Sequence, residues 1–214
     1  MNVRGLLCLF AIPSLVACEM SELETPVTGT CDAATAQNLW PQFVGTNGTQ
    51  PAPTDIGWNE GQTPPDFQLV DQFGDPMCLW QLVGKWVVMD SSTLWCEPCK
   101  RIAKTVECQA ETYGEDVVYT TFIVQDAQSQ PAEQIHAEQW STEFNLAGGT
   151  QTPVVSDGGQ IVTSNFPGNG AFPVLMLLNP ALEIELSGVG ESADVPVRAA
   201  LDEQLGVDSD PCHE

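Results

Sequence analysis

Two cysteines three positions apart, in Trp95-Cys96-Glu97-Pro98-Cys99-Lys100, stand between the short apolar run Trp86–Met89 and a stretch with helical spacing. No other feature constrains the chain as much. Two thiols so spaced at a strand-to-helix junction can close and open a disulfide reversibly, which makes a redox protein the first candidate. The same pair could ligate a metal, but a tetrahedral zinc site needs two more Cys or His ligands at comparable spacing. No second such pair exists, and His136 and His213 stand alone. No metal and no cofactor are therefore expected.

The N-terminus decides where such chemistry would occur. Residues 1–17 read as a lipoprotein signal peptide: Arg4 gives the positive start, Leu6–Val16 an apolar core, and Leu15-Val16-Ala17-Cys18 fits a lipobox. Cys18 is then the lipidated first residue of the mature chain. The alternative is an ordinary cleaved signal with a coincidental cysteine. The apolar core is too short to span a bilayer, so the expectation is an exported protein tethered to a cell-envelope membrane by acyl chains, facing the periplasm or the outside.

Removing the signal leaves five basic residues against 29 acidic ones, a mature net charge of −24. Such a surface repels nucleic acid and anionic headgroups and favours a monomer, so no nucleic-acid partner is expected. Lys100, Arg101 and Lys104 follow the cysteine pair directly. They read either as a solvated helix face or as a local positive field that favours a thiolate.

Residues 18–62 contain Glu22, Glu24, Pro26 and Pro51-Ala52-Pro53 with little periodicity, the texture of a linker holding a short helix near Ala33–Leu39. Residues 63–214 read as the folded domain. Asp66–Val70 and Met77–Trp80 flank the turn Gly74-Asp75-Pro76 and predict a strand and its return. Trp86–Met89 predicts a buried central strand. Ile102, Ala103, Val106 and Ala110 give helical spacing over Glu97–Tyr113, and Val117–Val124 is rich in strand formers. A second helix is expected over residues 131–146, an antiparallel pair at Val174–Leu178 and Leu182–Leu186, and a closing helix over Val195–Leu205 that stops at Gly206. This order predicts an α/β fold with a mixed central sheet and helices on both faces.

Val87-Val88-Met89-Asp90 followed by Trp95-Cys96-x-Pro98-Cys99, with Phe172-Pro173 ahead of a later apolar strand, resembles the thioredoxin fold. Pro65-Asp66-Phe67-x-Leu69, Gly74-Asp75 and Gly84-Lys85 resemble the membrane-tethered TlpA/ResA thiol-disulfide oxidoreductases, relatives of the AhpC/TSA redoxins. The resemblance covers roughly residues 60–206. It implies a thioredoxin-like three-layer α/β/α sandwich with an N-terminal extension, acting on disulfide-bearing extracytoplasmic proteins and recharged by an upstream membrane thiol donor. In that branch the Trp-Cys-Glu-Pro-Cys form occurs in reductases that keep haem-attachment cysteines of apocytochrome c reduced. Ser91-Ser92-Thr93 departs from the family, where an aromatic and small residues are usual.

The residues themselves suggest the roles. Cys96 sits where a helix begins, so unpaired N–H groups and the positive helix end favour its thiolate and make it the nucleophile. Cys99, one turn inside, resolves the mixed disulfide. Asp90 corresponds to the buried acid of thioredoxins and would take the Cys99 proton; the alternative is a carboxylate ending a strand in solvent. Glu97 opposes thiolate formation and so favours a reductase. Pro98 suits the first helical turn, and Trp95 reads as either packing or a docking surface. Phe172-Pro173 is the candidate cis peptide facing the disulfide, with Thr152-Pro153 as rival.

Cys31, Cys78, Cys108 and Cys212 remain, and four cysteines allow three pairings. The thioredoxin arrangement implies Cys108 with Cys212, leaving Cys31 for Cys78; free thiols in an electron relay are the alternative. Two other functions compete. Thr93-Leu94-Trp95-Cys96 reproduces half of a peroxiredoxin motif, but Met89 stands where its proline belongs and Arg198 is the only late arginine. A non-catalytic binding lipoprotein is the other reading.

Overall fold

The apolar run after Lys85 becomes the middle of a seven-stranded mixed sheet. The computed structural model describes residues 39–41, 53 and 55–213. The elements are β1 (Gln68–Asp71), β2 (Pro76–Cys78), β3 (Trp86–Thr93), α1 (Glu97–Tyr113), β4 (Val117–Gln125), α2 (Gln134–Glu143), β5 (Val154–Ser156), β6 (Val174–Leu178), β7 (Ile184–Val189) and α3 (Asp194–Leu205). The strand order is β2-β1-β5-β4-β3-β6-β7. β3 runs parallel to β4 and antiparallel to β6, so both its edges are satisfied and seven of its eight residues are buried. It continues four residues past Met89, and that continuation carries the polar residues Asp90, Ser91, Ser92 and Thr93 into the interior.

The fold is thioredoxin-like, with a helical layer on one face of the sheet. Ile102 and Val106 of α1, Trp140 of α2, and Val197 and Leu201 of α3 all join Val88, Tyr119 and Leu177 in one apolar cluster. The opposite cluster, around Met89, Phe122, Val155 and Met176, is covered by Trp40, Leu79, Leu82, Val162 and Phe166. Among the described residues that second layer is built of 3-10 turns and extended segments rather than α-helix. Gly158, Gly159, Pro167, Gly168 and Gly170 in the segment after β5 account for it, since glycine and proline disfavour helix by about 1 and 3 kcal/mol each.

Several element boundaries differ from expectation for local reasons. α2 begins at Gln134 rather than 131, because Pro131 still bridges Gln125 and the Ala132 amide donates to the Val124 carbonyl. Glu133 and His136 then form a reciprocal capping box. β5 was not anticipated; its three residues slot between β1 and β4. α3 ends as expected at Gly206, which adopts a left-handed φ of 67°.

The packed body also begins before residue 63. Trp40 is 2% exposed, and its indole donates to Asp71 Oδ2 at 2.7 Å. Residues 55–63 are tied in by Gly61 N to Ile184 O and Ile184 N to Gln62 O, and Trp58 packs on Phe166. The expected linker thus contributes to the domain. Residues 1–17, Cys18, Cys31 and nearly all of the short helix expected near Ala33–Leu39 lie outside the described residues; Leu39 itself lies in a bend. Cys108 of α1 is bridged to Cys212 in the C-terminal 3-10 turn Asp210–His213, with Cα atoms 5.5 Å apart. Cys78 is also disulfide-bonded.

Candidate active site

β3 ends under a tight connection in which Cys96 N donates to Thr93 O at 3.1 Å, and the chain turns directly into α1. Cys96 is the N-cap of that helix, with extended backbone, and its sulfur accepts from the Cys99 amide at 3.3 Å. One orphan donor of the helix start is thus aimed at the sulfur, the arrangement that favours a thiolate once the bridge is open. Pro98 lies in the first turn, where its missing N–H costs no helical hydrogen bond. Cys96 and Cys99 are joined in a disulfide, with Cα atoms 5.3 Å apart. Cys96 is 3% exposed and Cys99 is fully buried.

Asp90 shares its strand face with Val88, which packs in the cluster containing Cys96, Cys99 and Ile102, so its side chain enters the layer beneath α1. It does not end a strand in solvent. Burial pushes its carboxyl up to about 7, a hydrogen bond from Ser92 lowers it, and the negative charge of Asp194 at the start of α3 raises it further. Oδ1 of Asp90 has no hydrogen-bond partner among the described residues. Nearby on β4, the fully buried Tyr119 phenol is raised by burial and by the charge of Asp90.

The Phe172–Pro173 peptide bond is cis. It lies just before the start of β6, beside the end of β3, held on one side by Val174 N donating to Ser91 Oγ at 3.2 Å and on the other by Gly190 N donating to Pro173 O at 2.8 Å. Thr152-Pro153 instead leads into β5, where the Pro153 carbonyl accepts from Thr121 N. Trp95 is 45% exposed, donates from its indole to Gln125 Oε1 at 3.0 Å, and meets Phe172 edge-on with ring centroids 6.1 Å apart. Glu97 stands 3.8 Å from Lys100, and Arg101 pairs with Glu191, so part of the cationic run after the cysteines is already neutralised.

Three contributors went unnoticed in the sequence. Ser91 and Ser92, legible only as a departure from the family pattern, hold the cis-proline strand and the buried carboxyl. Gln125, at the end of β4, anchors Trp95; nothing in its sequence context signals this. Among the described residues no group of three or more His, Cys, Asp or Glu side chains is placed to hold a metal ion. No helix among them is long and apolar enough to cross a membrane.

A mixed sheet, a Cys-x-x-Cys bridge capping the helix after a central strand, and a cis-proline beside it define a thioredoxin-like protein. A profile of the AhpC/TSA family matches residues 61–185, more than half of the chain, and the chain belongs to that family. It is 31% identical over 61 residues to the thioredoxin-like protein YneN of Bacillus subtilis (strain 168), a match covering 28% of this chain and 36% of that protein. The match thus spans little more than a third of the curated relative. The exposed lipoprotein thioredoxin Etrx1 of Streptococcus pneumoniae strain TIGR4 superposes with TM-score 0.50 at 20% identity, over 64% of this chain and 98% of that one. A secreted Mycobacterium tuberculosis disulfide oxidoreductase homologous to E. coli DsbE gives TM-score 0.50 at 15% identity, over 64% and 95%. Peroxidoxin BcpB of Mycobacterium tuberculosis gives 0.54 at 16%, over 67% and 96%. At these identities the likeness is one of fold.

Proposed function

We propose that this protein is an exported, lipid-anchored thiol-disulfide oxidoreductase that reduces disulfides of extracytoplasmic proteins through Cys96 and Cys99. The observation that carries the reading is the Cys96–Cys99 bridge at the start of α1, above the strand face that buries Asp90, whose carboxyl burial pushes up to about 7. An upstream dithiol donor opens the bridge. The Cys96 thiolate then attacks a partner disulfide, one partner sulfur leaves as a thiolate, and a mixed disulfide forms. Cys99, giving its proton to ionised Asp90, attacks Cys96 Sγ; the second partner sulfur leaves and the bridge closes again. Two electrons have passed to the partner. Keeping haem-attachment cysteines of apocytochrome c reduced is one task of this chemical type.

Reduction of insulin by the mature chain, with Cys96→Ser and Cys99→Ser alongside, tests the assignment. Wild-type turnover is expected, none with Cys96→Ser, and a trapped mixed disulfide with Cys99→Ser; equal rates for wild type and Cys96→Ser would remove the pair from the chemistry. Export and anchoring rest on the lipobox ending at Cys18 and on the fold shared with a pneumococcal lipoprotein. Incorporation of labelled palmitate that disappears in Cys18→Ser tests them.

One structural neighbour is a peroxidoxin, and Thr93, whose buried hydroxyl has no partner among the described residues, precedes Cys96 at the spacing of the peroxiredoxin half-motif. Arg198, however, is held by Asp194 at 2.8 Å and Asp210 at 2.9 Å. Hydrogen peroxide turnover in the absence of a protein disulfide would favour this second reading.

A further inference from the structure

The more accessible disulfide is not the one at the start of α1. Cys96 is 3% exposed and Cys99 fully buried, whereas Cys108 and Cys212 are both partly exposed. Their bridge ties α1 to the C-terminal turn, and Cys212 lines a cavity of about 690 Å³ walled by α1 and the beginning of α3. That is the size of a small-molecule site. The Thr112 hydroxyl lies 3.6 Å from Cys212 Sγ and, the sulfur being bridged, is the donor.

The lining of this cavity is far less acidic than the molecule as a whole. Arg101, Lys104 and Arg198, three of the six basic residues in a chain of net charge −23, line it together. Glu191 and Asp194 line it as well, bonded to Arg101 and Arg198, and Asp210, outside the lining, pairs with Arg198 too. Lys104 is exposed and makes no ion pair among the described residues. The lining therefore offers one uncommitted cation beside carboxylates and a reachable disulfide. A cation near a cysteine sulfur favours its thiolate, and exposed disulfides are the labile ones.

We propose that Cys108–Cys212 is a second thiol-exchange site, at which a small zwitterionic thiol enters the cavity, sets a carboxylate against Lys104 and attacks Cys212. The thiolate of the ligand forms a bond to Cys212 Sγ as the Cys212–Cys108 bond breaks. The electron pair leaves on Cys108, which takes a proton from water, and Cys212 is left as a mixed disulfide with the ligand. A second thiol attacking the ligand sulfur returns Cys212 as a free thiol and completes a two-electron reduction. Opening the bridge releases the tail from α1, leaving it held through Ser209 to Asp202 and Asp210 to Arg198.

The site is separable from the Cys96 chemistry, so the test uses the full mature chain carrying Cys96→Ser and Cys99→Ser. Glutathione, with two carboxylates and one amine, and cysteamine, with an amine alone, serve as probes. Opening of Cys108–Cys212 is followed by alkylation and peptide mass spectrometry, in native buffer and in denaturant. The ratio of the glutathione rate to the cysteamine rate in denaturant gives their intrinsic chemistry. The native ratio is expected to exceed it, whereas the net negative charge of the chain alone would push it below. Lys104→Gln should cut the native ratio about fivefold, and about 1 M salt should erase the excess. A bridge that opens only as the protein unfolds, or a native ratio at or below the denatured one, or a ratio indifferent to Lys104→Gln, overturns the proposal and leaves a purely structural staple.

Discussion

The Ser92 hydroxyl donates to Asp90 Oδ2 at 3.0 Å, and that single bond accompanies a carboxyl group with no exposed surface. One neutral hydrogen bond cannot offset the removal of a carboxylate from water, so the Asp90 proton is held up to about pH 7. A base of this kind accepts a proton only once ionised. Release of reduced partner is therefore expected to speed up from about pH 6 to about pH 8, with the step lost and the rate about 100-fold lower in Asp90→Asn. Single-turnover kinetics of mixed-disulfide resolution measure it; an unchanged profile in the variant removes Asp90 from the proton path.

The same burial acts on stability with a definite sign. The folded-state pKa of about 7 lies above the ordinary 3.8, so the unfolded chain loses this proton first and stability falls as pH rises from about 4 to about 7. Above about pH 7 the ionised group costs the fold up to about 4 kcal/mol, a ceiling that relaxation and water entry reduce. Asp90→Asn should therefore stabilise the protein by about 1–3 kcal/mol at about pH 8 and change little at about pH 3.5, below both pKa values. Urea unfolding at the two pH values checks it. Stabilisation that does not depend on pH would mean that packing, not charge, dominates.

What could be read in the chain beforehand depends on how local the signal is. The cysteine pair could be placed at a strand-to-helix junction because Cys, Pro and an apolar run each carry meaning within a few residues. The polar stretch Asp90–Thr93 hid the second half of β3, since its burial comes from β4 and β6 on either side, and those partners are distant in sequence. Val154–Ser156 is too short to show a period and is a strand only because β1 and β4 flank it. Trp40 sits among residues with a linker's texture, yet its indole finds Asp71 thirty-one positions away. Ser91 looks like a mere departure because its partner, Val174 N, is brought to it only by the pairing of β3 with β6, and Ser92 because its bond to Asp90 matters only once β4 and β6 have buried both.

Trp95 gives a test of partner recognition. Its ring is exposed over nearly half its surface yet fixed by Gln125 and Phe172, which makes it a preorganised apolar contact beside the disulfide. Trp95→Ala is expected to raise KM for a protein disulfide about 10-fold while leaving reduction of a small aromatic disulfide within about twofold. Gln125→Ala, which frees the indole without deleting it, should give an intermediate rise. Equal losses on both substrates would show that the ring supports the helix start instead of the partner.

Gly158 tests the turn after β5 where it meets the approach to α2. A Cβ there would fall 2.1 Å from the Ala132 carbonyl oxygen and 2.6 Å from its nitrogen, and both are backbone atoms of the segment leading into α2. Ala132 cannot retreat, because its amide is bonded to Val124 O. Gly158→Ala should destabilise by about 2–3 kcal/mol, in the range of overpacked cores. Gly170→Ala, with open space around its Cβ but a φ of 82°, should cost less, about 1 kcal/mol. Thermal unfolding of the two variants side by side decides whether close approach or backbone conformation dominates in this segment.

The C-terminal bridge closes a loop with a sequence separation of 104, and its loss should be felt mainly through the unfolded chain. A loop of that length gives about 4–5 kcal/mol in the chain-entropy picture, and measured values run lower. Cys108→Ser with Cys212→Ser is expected to lower stability by about 2–4 kcal/mol. The tail has other anchors, for Ser209 is fully buried and bonded to Asp202, which also accepts from the Tyr113 hydroxyl at 3.0 Å. Native hydrogen exchange should therefore show a tail that stays docked in the double variant but opens more often. Adding Asp202→Asn to that variant should then expose the turn around Ser209 outright, since bridge and hydrogen bonds hold the same segment. If the double variant alone already loses all protection there, the disulfide is the principal restraint and the Asp202 contacts contribute little.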